Sequence, residues 1–118
     1  MDAELDPEDA KIITLARSAR ARTASRTGAA VRDSTGRTYA AADVDLPSLK
    51  LGALEVAVAM AVSSGAEALE AAAVVSADAG ELSEAELAPA RDLKAGQVLL
   101  AGTDGSLAAV YPGATRSA

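Results

Sequence analysis

The chain has 118 residues, 17 acidic against 11 basic side chains, a net charge of −6, and no Cys, His, Trp or Phe. That length reads as one domain, 1–118, large enough to bury roughly two-thirds of its unfolded surface. Without Cys or His there is no thiolate nucleophile, imidazole base, Cys/His zinc site, Ser-His-Asp triad or His/Cys-ligated haem, which leaves acid–base work to carboxylates, Lys, Tyr and hydroxyls.

Residues 1–10 carry five acids and no base, and residues 11–37 carry seven bases against the single acid Asp33. The acidic opening is the reverse of a secretory n-region, and no run approaches the ~20 apolar residues of a membrane span. A soluble cytoplasmic protein is expected, and the Ala, Arg, Gly and Val usage fits a high-GC bacterial source. Asp6 is a good N-cap, Pro7 suits the first helical position, and Glu8 and Asp9 fill the first turn. Arg17, Arg20 and Arg22 oppose the dipole at the other end. The spacing of Ile12, Leu15, Ala16 and Ala19 predicts a helix over 7–22.

Gly28–Arg32 and Arg37–Val44 read as two strands around the turn Asp33-Ser34-Thr35-Gly36. Ser48 then caps a second helix, 49–63, apolar on most sides and stopped by Gly65. Leu69–Ser76 is a continuous apolar run, the pattern of a strand covered on both faces. Ser83-Glu84-Ala85-Glu86 has the spacing of a capping box and opens a short helix ending near Leu93, with Pro89 limiting its regularity. Gln97–Ala101 and Ser106–Tyr111 form a closing hairpin around Gly102-Thr103-Asp104-Gly105. Residues 1–6 and 112–118 are expected to be flexible ends. The order α-β-β-α-β-α-β-β, with an antiparallel opening hairpin and a parallel βαβ unit, predicts a three-layer α/β/α sandwich with a mixed five-stranded sheet.

This order and several local stretches resemble the cytidine deaminase family over roughly residues 8–110. Gly28-Ala29-Ala30-Val31-Arg32 with Thr35–Tyr39 is similar to the family's first hairpin, whose strand floors the base pocket. Asp43-Val44-Asp45 stands where the family reads Asn-x-Glu, a pair that binds ribose. Leu49–Glu55 resembles Thr-Leu-Cys-Ala-Glu, and Ala71–Ser76 and Val98–Gly105 resemble the third and fourth strands. The resemblance implies ligand contacts at Ala29, Ala30, Asp43, Asp45, Gly52 and Glu55.

It also implies a zinc-bound hydroxide and a proton-shuttling Glu, and here the chain departs. Gly52 takes the place of the helix's metal ligand and Leu54 that of the catalytic Glu. Glu55 sits one residue on, rotated by about 100°. If Arg91 matches the Arg following Pro-Cys-x-x-Cys, Leu87 and Ala90 take the two Cys positions. No metal, no cofactor and no catalytic residue is therefore assigned, and hydrolytic deamination by the family mechanism is not expected.

The expected role is a catalytically inactive, zinc-less domain serving as oligomeric scaffold, partner subunit or nucleoside binder. The likeness of helix 49–63 to the central region of family dimers and tetramers implies a homo-oligomer. A divergent nucleoside-modifying enzyme using Asp43, Asp45 or Glu55 is the alternative. A third reading, an RNA- or ribosome-associated factor, uses the basic stripe Arg17, Arg20, Arg22 and Arg26, but a pI near 4.5 and two Tyr as the only stacking groups weigh against nucleic acid.

Overall fold

The computed structural model describes residues 5–78 and 80–113. Helix α1 (Pro7–Thr23) starts as its sequence dictates: the Asp6 carboxylate accepts from the Glu8 N–H at 2.8 Å, and Pro7 occupies the first turn. It ends one residue later than expected, where Ala24 turns left-handed (φ 54°). Its buried stripe is Ile12, Ile13, Ala16 and Ala19, with Leu15 only half-buried. Strands β1 (Thr27–Asp33) and β2 (Thr38–Ala42) form the antiparallel hairpin. Asp33 knits its turn together, accepting from the Thr35 hydroxyl (2.7 Å) and N–H (2.9 Å), the Arg37 N–H (3.0 Å) and the Tyr39 hydroxyl (3.1 Å). These bonds hold its carboxyl below the ordinary value, the Thr35 hydroxyl first among them, against the opposing effect of burial.

The structure corrects the reading of residues 37–51. The second strand stops at Ala42, and two short strands, β3 (Val44–Leu46) and β4 (Leu49–Leu51), pair as a separate hairpin around Pro47-Ser48. Helix α2 therefore spans Ala53–Ser63, with Gly52 rather than Ser48 at its N-cap. The physical cause is long-range: the Asp43 carboxylate takes both the Thr27 N–H (2.9 Å) and the Thr27 hydroxyl (2.8 Å), which pins the chain beside the start of β1 and ends the ladder.

The remaining elements are β5 (Leu69–Ser76), α3 (Glu84–Asp92), β6 (Gln97–Ala101) and β7 (Leu107–Pro112). The main sheet has the order β2-β1-β5-β6-β7, with β5 antiparallel to β1 and parallel to β6. Period-two alternation sorts its residues to two cores. Ala30, Ala71, Ala73, Val75 and Leu99 meet α1, whereas Ala29, Val31, Ala72, Val74 and Leu100 meet the α2 and α3 side. The result is the expected three-layer α/β/α sandwich with a mixed five-stranded sheet. Most of the expected flexible ends lie outside the described residues, although Asp6 caps α1 and Pro112 closes β7. Among the described residues no helix is long and apolar enough to cross a membrane.

Candidate functional site

At the carboxyl ends of β5 and β6, where ligands gather in open α/β sheets, a cavity of about 470 Å³ opens between the sheet and the first turns of α2 and α3. Its apolar lining comes from Leu54, Val74, Leu82 and Leu100, and its polar lining includes Arg26, Thr27, Asp43, Glu55, Asp78 and Glu86. Several of these groups already have internal partners. Arg26 pairs with Asp78. Burial works to raise the Asp43 carboxyl, but the Thr27 N–H and hydroxyl, and then the Arg26 charge, hold it below its ordinary value.

The two helix starts are closed by glutamates. Glu55 Oε1 accepts the Gly52 N–H at 2.7 Å, a one-sided cap because glycine has no side chain to return the bond. Ser83 and Glu86 form the full box: Glu86 Oε1 accepts the Ser83 N–H (2.8 Å) and Ser83 Oγ accepts the Glu86 N–H (3.1 Å). Such caps satisfy backbone donors that a helix start leaves open. Ser83→Ala should cost about 1 kcal/mol of stability, read by urea unfolding. A loss below roughly 0.3 kcal/mol would show that the box is idle.

The fold brings together Asp43, Gly52 and Glu55 around the cavity, but not the other residues of the expected set. Ala29 is fully buried in the core beneath, and Ala30 faces α1 on the opposite side of the sheet, as adjacent strand residues must. Asp45 lies on the exposed β3–β4 hairpin and pairs with Lys50 at 2.6 Å, so the two aspartates do not converge. Leu87 and Ala90, 1% and 0% exposed, pack into the core; α3 reaches the cavity with Ala85 and Glu86 instead. Sequence reading missed the cavity roles of Arg26, Thr27, Asp78 and Glu86. Only Glu86 carried a local signal, its capping-box spacing. In the basic stripe, Arg17 Nε donates to the Thr103 carbonyl (3.1 Å) and Arg20 Nε to the Arg26 carbonyl (3.3 Å).

The family model described as cytidine deaminase-like matches residues 5–105. The chain belongs to the cytidine deaminase-like family. The crystal structure at 1.6 Å of a cytidine deaminase from Burkholderia pseudomallei is similar to this cytidine deaminase-like domain with a TM-score of 0.73, covering 86% of this chain and 90% of that one. At 22% identity this likeness is one of fold. No curated protein matches the chain in sequence.

The zinc that the family resemblance implies does not fit the donors present. The chain supplies no Cys or His, and among the described residues no three acidic side chains converge on a metal position. The carboxylates nearest the helix starts are drawn onto backbone N–H groups.

Proposed function

We propose that this cytidine deaminase-like domain is a catalytically inactive, zinc-less member of its family that holds a small polar ligand of nucleoside type. The observation that supports this reading is the cavity itself. It combines an apolar floor with hydrogen-bonding groups at Asp43, Glu55 and Arg26, in a chain without Cys or His. A nucleoside offers the matching chemistry, a flat base and hydroxyl donors. Without a metal to lower its pKa, water does not supply hydroxide at neutral pH, so the ligand leaves unchanged.

The test is a melting experiment with cytidine and uridine, run beside an ultraviolet assay for deamination. A ligand at 100 times its Kd stabilises by about 2.7 kcal/mol, a rise of about ten degrees for a domain of this size. Asp43→Ala is expected to abolish the shift. No shift at millimolar nucleoside, or turnover with stoichiometric zinc, would sink the reading. Asp43 also carries a pH signature. Its folded pKa is lowered, so its contribution is complete above the ordinary carboxylate range and is lost as pH falls through the lowered value. Asp43→Asn should therefore flatten the acid limb of a stability–pH curve measured by urea midpoints.

A role as oligomeric scaffold, with a second copy of the chain as partner, has its own support. Leu46 (53%) and Leu49 (47%) on the β3–β4 hairpin, and Met60 (41%) and Val62 (50%) on α2, are large apolar side chains left in solvent. Native mass spectrometry separates dimers or tetramers from a monomer, and the same spectrum reports bound nucleoside.

A further inference from the structure

We infer that the ligand of this cavity carries a positive charge, as an amine- or guanidine-substituted nucleoside does, and that phosphorylated nucleosides are disfavoured. The inference rests on the proposed nucleoside reading and deepens it. Five carboxylates line the cavity, those of Asp43, Glu55, Asp78, Glu81 and Glu86, against the single guanidinium of Arg26. They come from separate places in the fold. Asp43 follows β2, Glu55 lies in the first turn of α2, Asp78 and Glu81 belong to the β5–α3 connection, and Glu86 to the first turn of α3.

Arg26 shows what this arrangement holds. Its guanidinium pairs with Asp78. Against burial, and after the Thr27 bonds, its charge also favours the ionised Asp43. Glu55, Glu81 and Glu86 are left, and among the described residues none of the three meets a cation. Glu55 and Glu86 each accept one backbone N–H, at 2.7 and 2.8 Å, which orients the carboxylate without cancelling its charge. The positive ends of α2 and α3 offset about half a unit each, so about two negative charges in the lining remain unopposed. A cleft lined by one sign of charge over low-dielectric walls gathers counter-ions and repels like charge. Leu54, Val74 and Leu100 supply those walls. An ammonium or guanidinium on the ligand finds carboxylates free to take it, as Asp78 takes Arg26. A phosphate finds only Arg26, which is already engaged.

Four probes test the inference by calorimetric titration of the full chain: uridine, uridine 5′-monophosphate, and the 5′-amino and 3′-amino deoxy analogues of uridine. At least one amino analogue is expected to bind about tenfold tighter than uridine, and the monophosphate about threefold weaker, the sum of a few exposed ion pairs made or opposed. The differences should vanish at about 1 M salt, where charges more than about 3 Å apart are screened. Glu81→Gln/Glu86→Gln, whose amide still caps α3, should reduce the ratio of amino analogue to uridine affinity, with folding checked by circular dichroism. Glu81→Gln alone, at an exposed position, should reduce the same ratio by less. Amino analogues that both bind no tighter than uridine, or a monophosphate that binds tighter, overturn the inference and leave the nucleoside reading intact. So does an amino preference that both variants and high salt leave unchanged. If none of the four binds at millimolar concentration, the nucleoside reading falls and this inference falls with it.

Discussion

Arg32→Ala is expected to cost about 3–5 kcal/mol, the loss typical when one member of a buried ion pair is removed. Arg32 lies on β1 with its side chain 12% exposed, and its Nη2 donates to Asp9 Oδ1 of α1 at 3.1 Å. Asp9 is 10% exposed at its side chain and also accepts from Gln97 Nε2 at 2.8 Å. Without Arg32, a carboxylate buried between helix and sheet keeps only the neutral amide. Since domains of this kind are stable by only about 5–15 kcal/mol, the variant should unfold at far lower urea. Glu70, the second partner at 2.7 Å, is about half exposed, so Glu70→Ala should lose less than about 1 kcal/mol. Among the described residues the buried Nη1 of the guanidinium meets no protein acceptor, and a buried ion pair does not in general outdo apolar side chains of similar volume. Asp9→Leu combined with Arg32→Met should therefore restore most of the lost stability. An Arg32→Ala midpoint within 1 kcal/mol of wild type would show that water reaches the pair.

Elements whose signals are local were legible in the sequence. Asp6-Pro7 starts α1, Gly36 and Gly105 mark hairpin turns, the apolar run 69–76 is the covered strand, and Ser83-x-x-Glu86 opens α3. The stretch 43–51 was not legible, because what ends β2 is a bond from Thr27, sixteen residues away. Leu49-Lys50-Leu51 also alternates like a strand, but it adjoins an apolar helix and merges into the helical pattern. The same distance problem governs the site. Asp43, Gly52 and Glu55 flank one short hairpin and converge, whereas Arg26, Asp78 and Glu86 join them only through the sheet and α3. The Asp9–Arg32 pair, which joins two separate charge blocks of the sequence, has no local signature at all.

Gly28→Ala is expected to lower stability by about 3 kcal/mol, the upper end for overpacking, and to weaken the proposed nucleoside binding with it. A Cβ at Gly28 would lie 2.2 Å from the Ala16 carbonyl oxygen and 2.9 Å from both the Arg20 N and Cβ. The obstacle is mostly helix backbone, so no rotamer change relieves it and α1 must lift from β1. The resemblance assigns this Gly-Ala-Ala stretch to the pocket floor. Gly28 instead lets α1 approach the sheet, a close contact completed by the small Ala16 and Ala19. Lifting α1 also strains the Asp9–Arg32 pair and the bond from Arg20 to the carbonyl of Arg26, a cavity-lining residue. Loss of stability and loss of the nucleoside shift should therefore appear together, with faster hydrogen exchange across Ile12–Ala19. Gly36→Ala is the contrast: its cost is the positive φ of 93° in open space, on the order of 1 kcal/mol, and the cavity is untouched. An unchanged melting point and exchange pattern in Gly28→Ala would mean that α1 rides higher on the sheet than this contact allows.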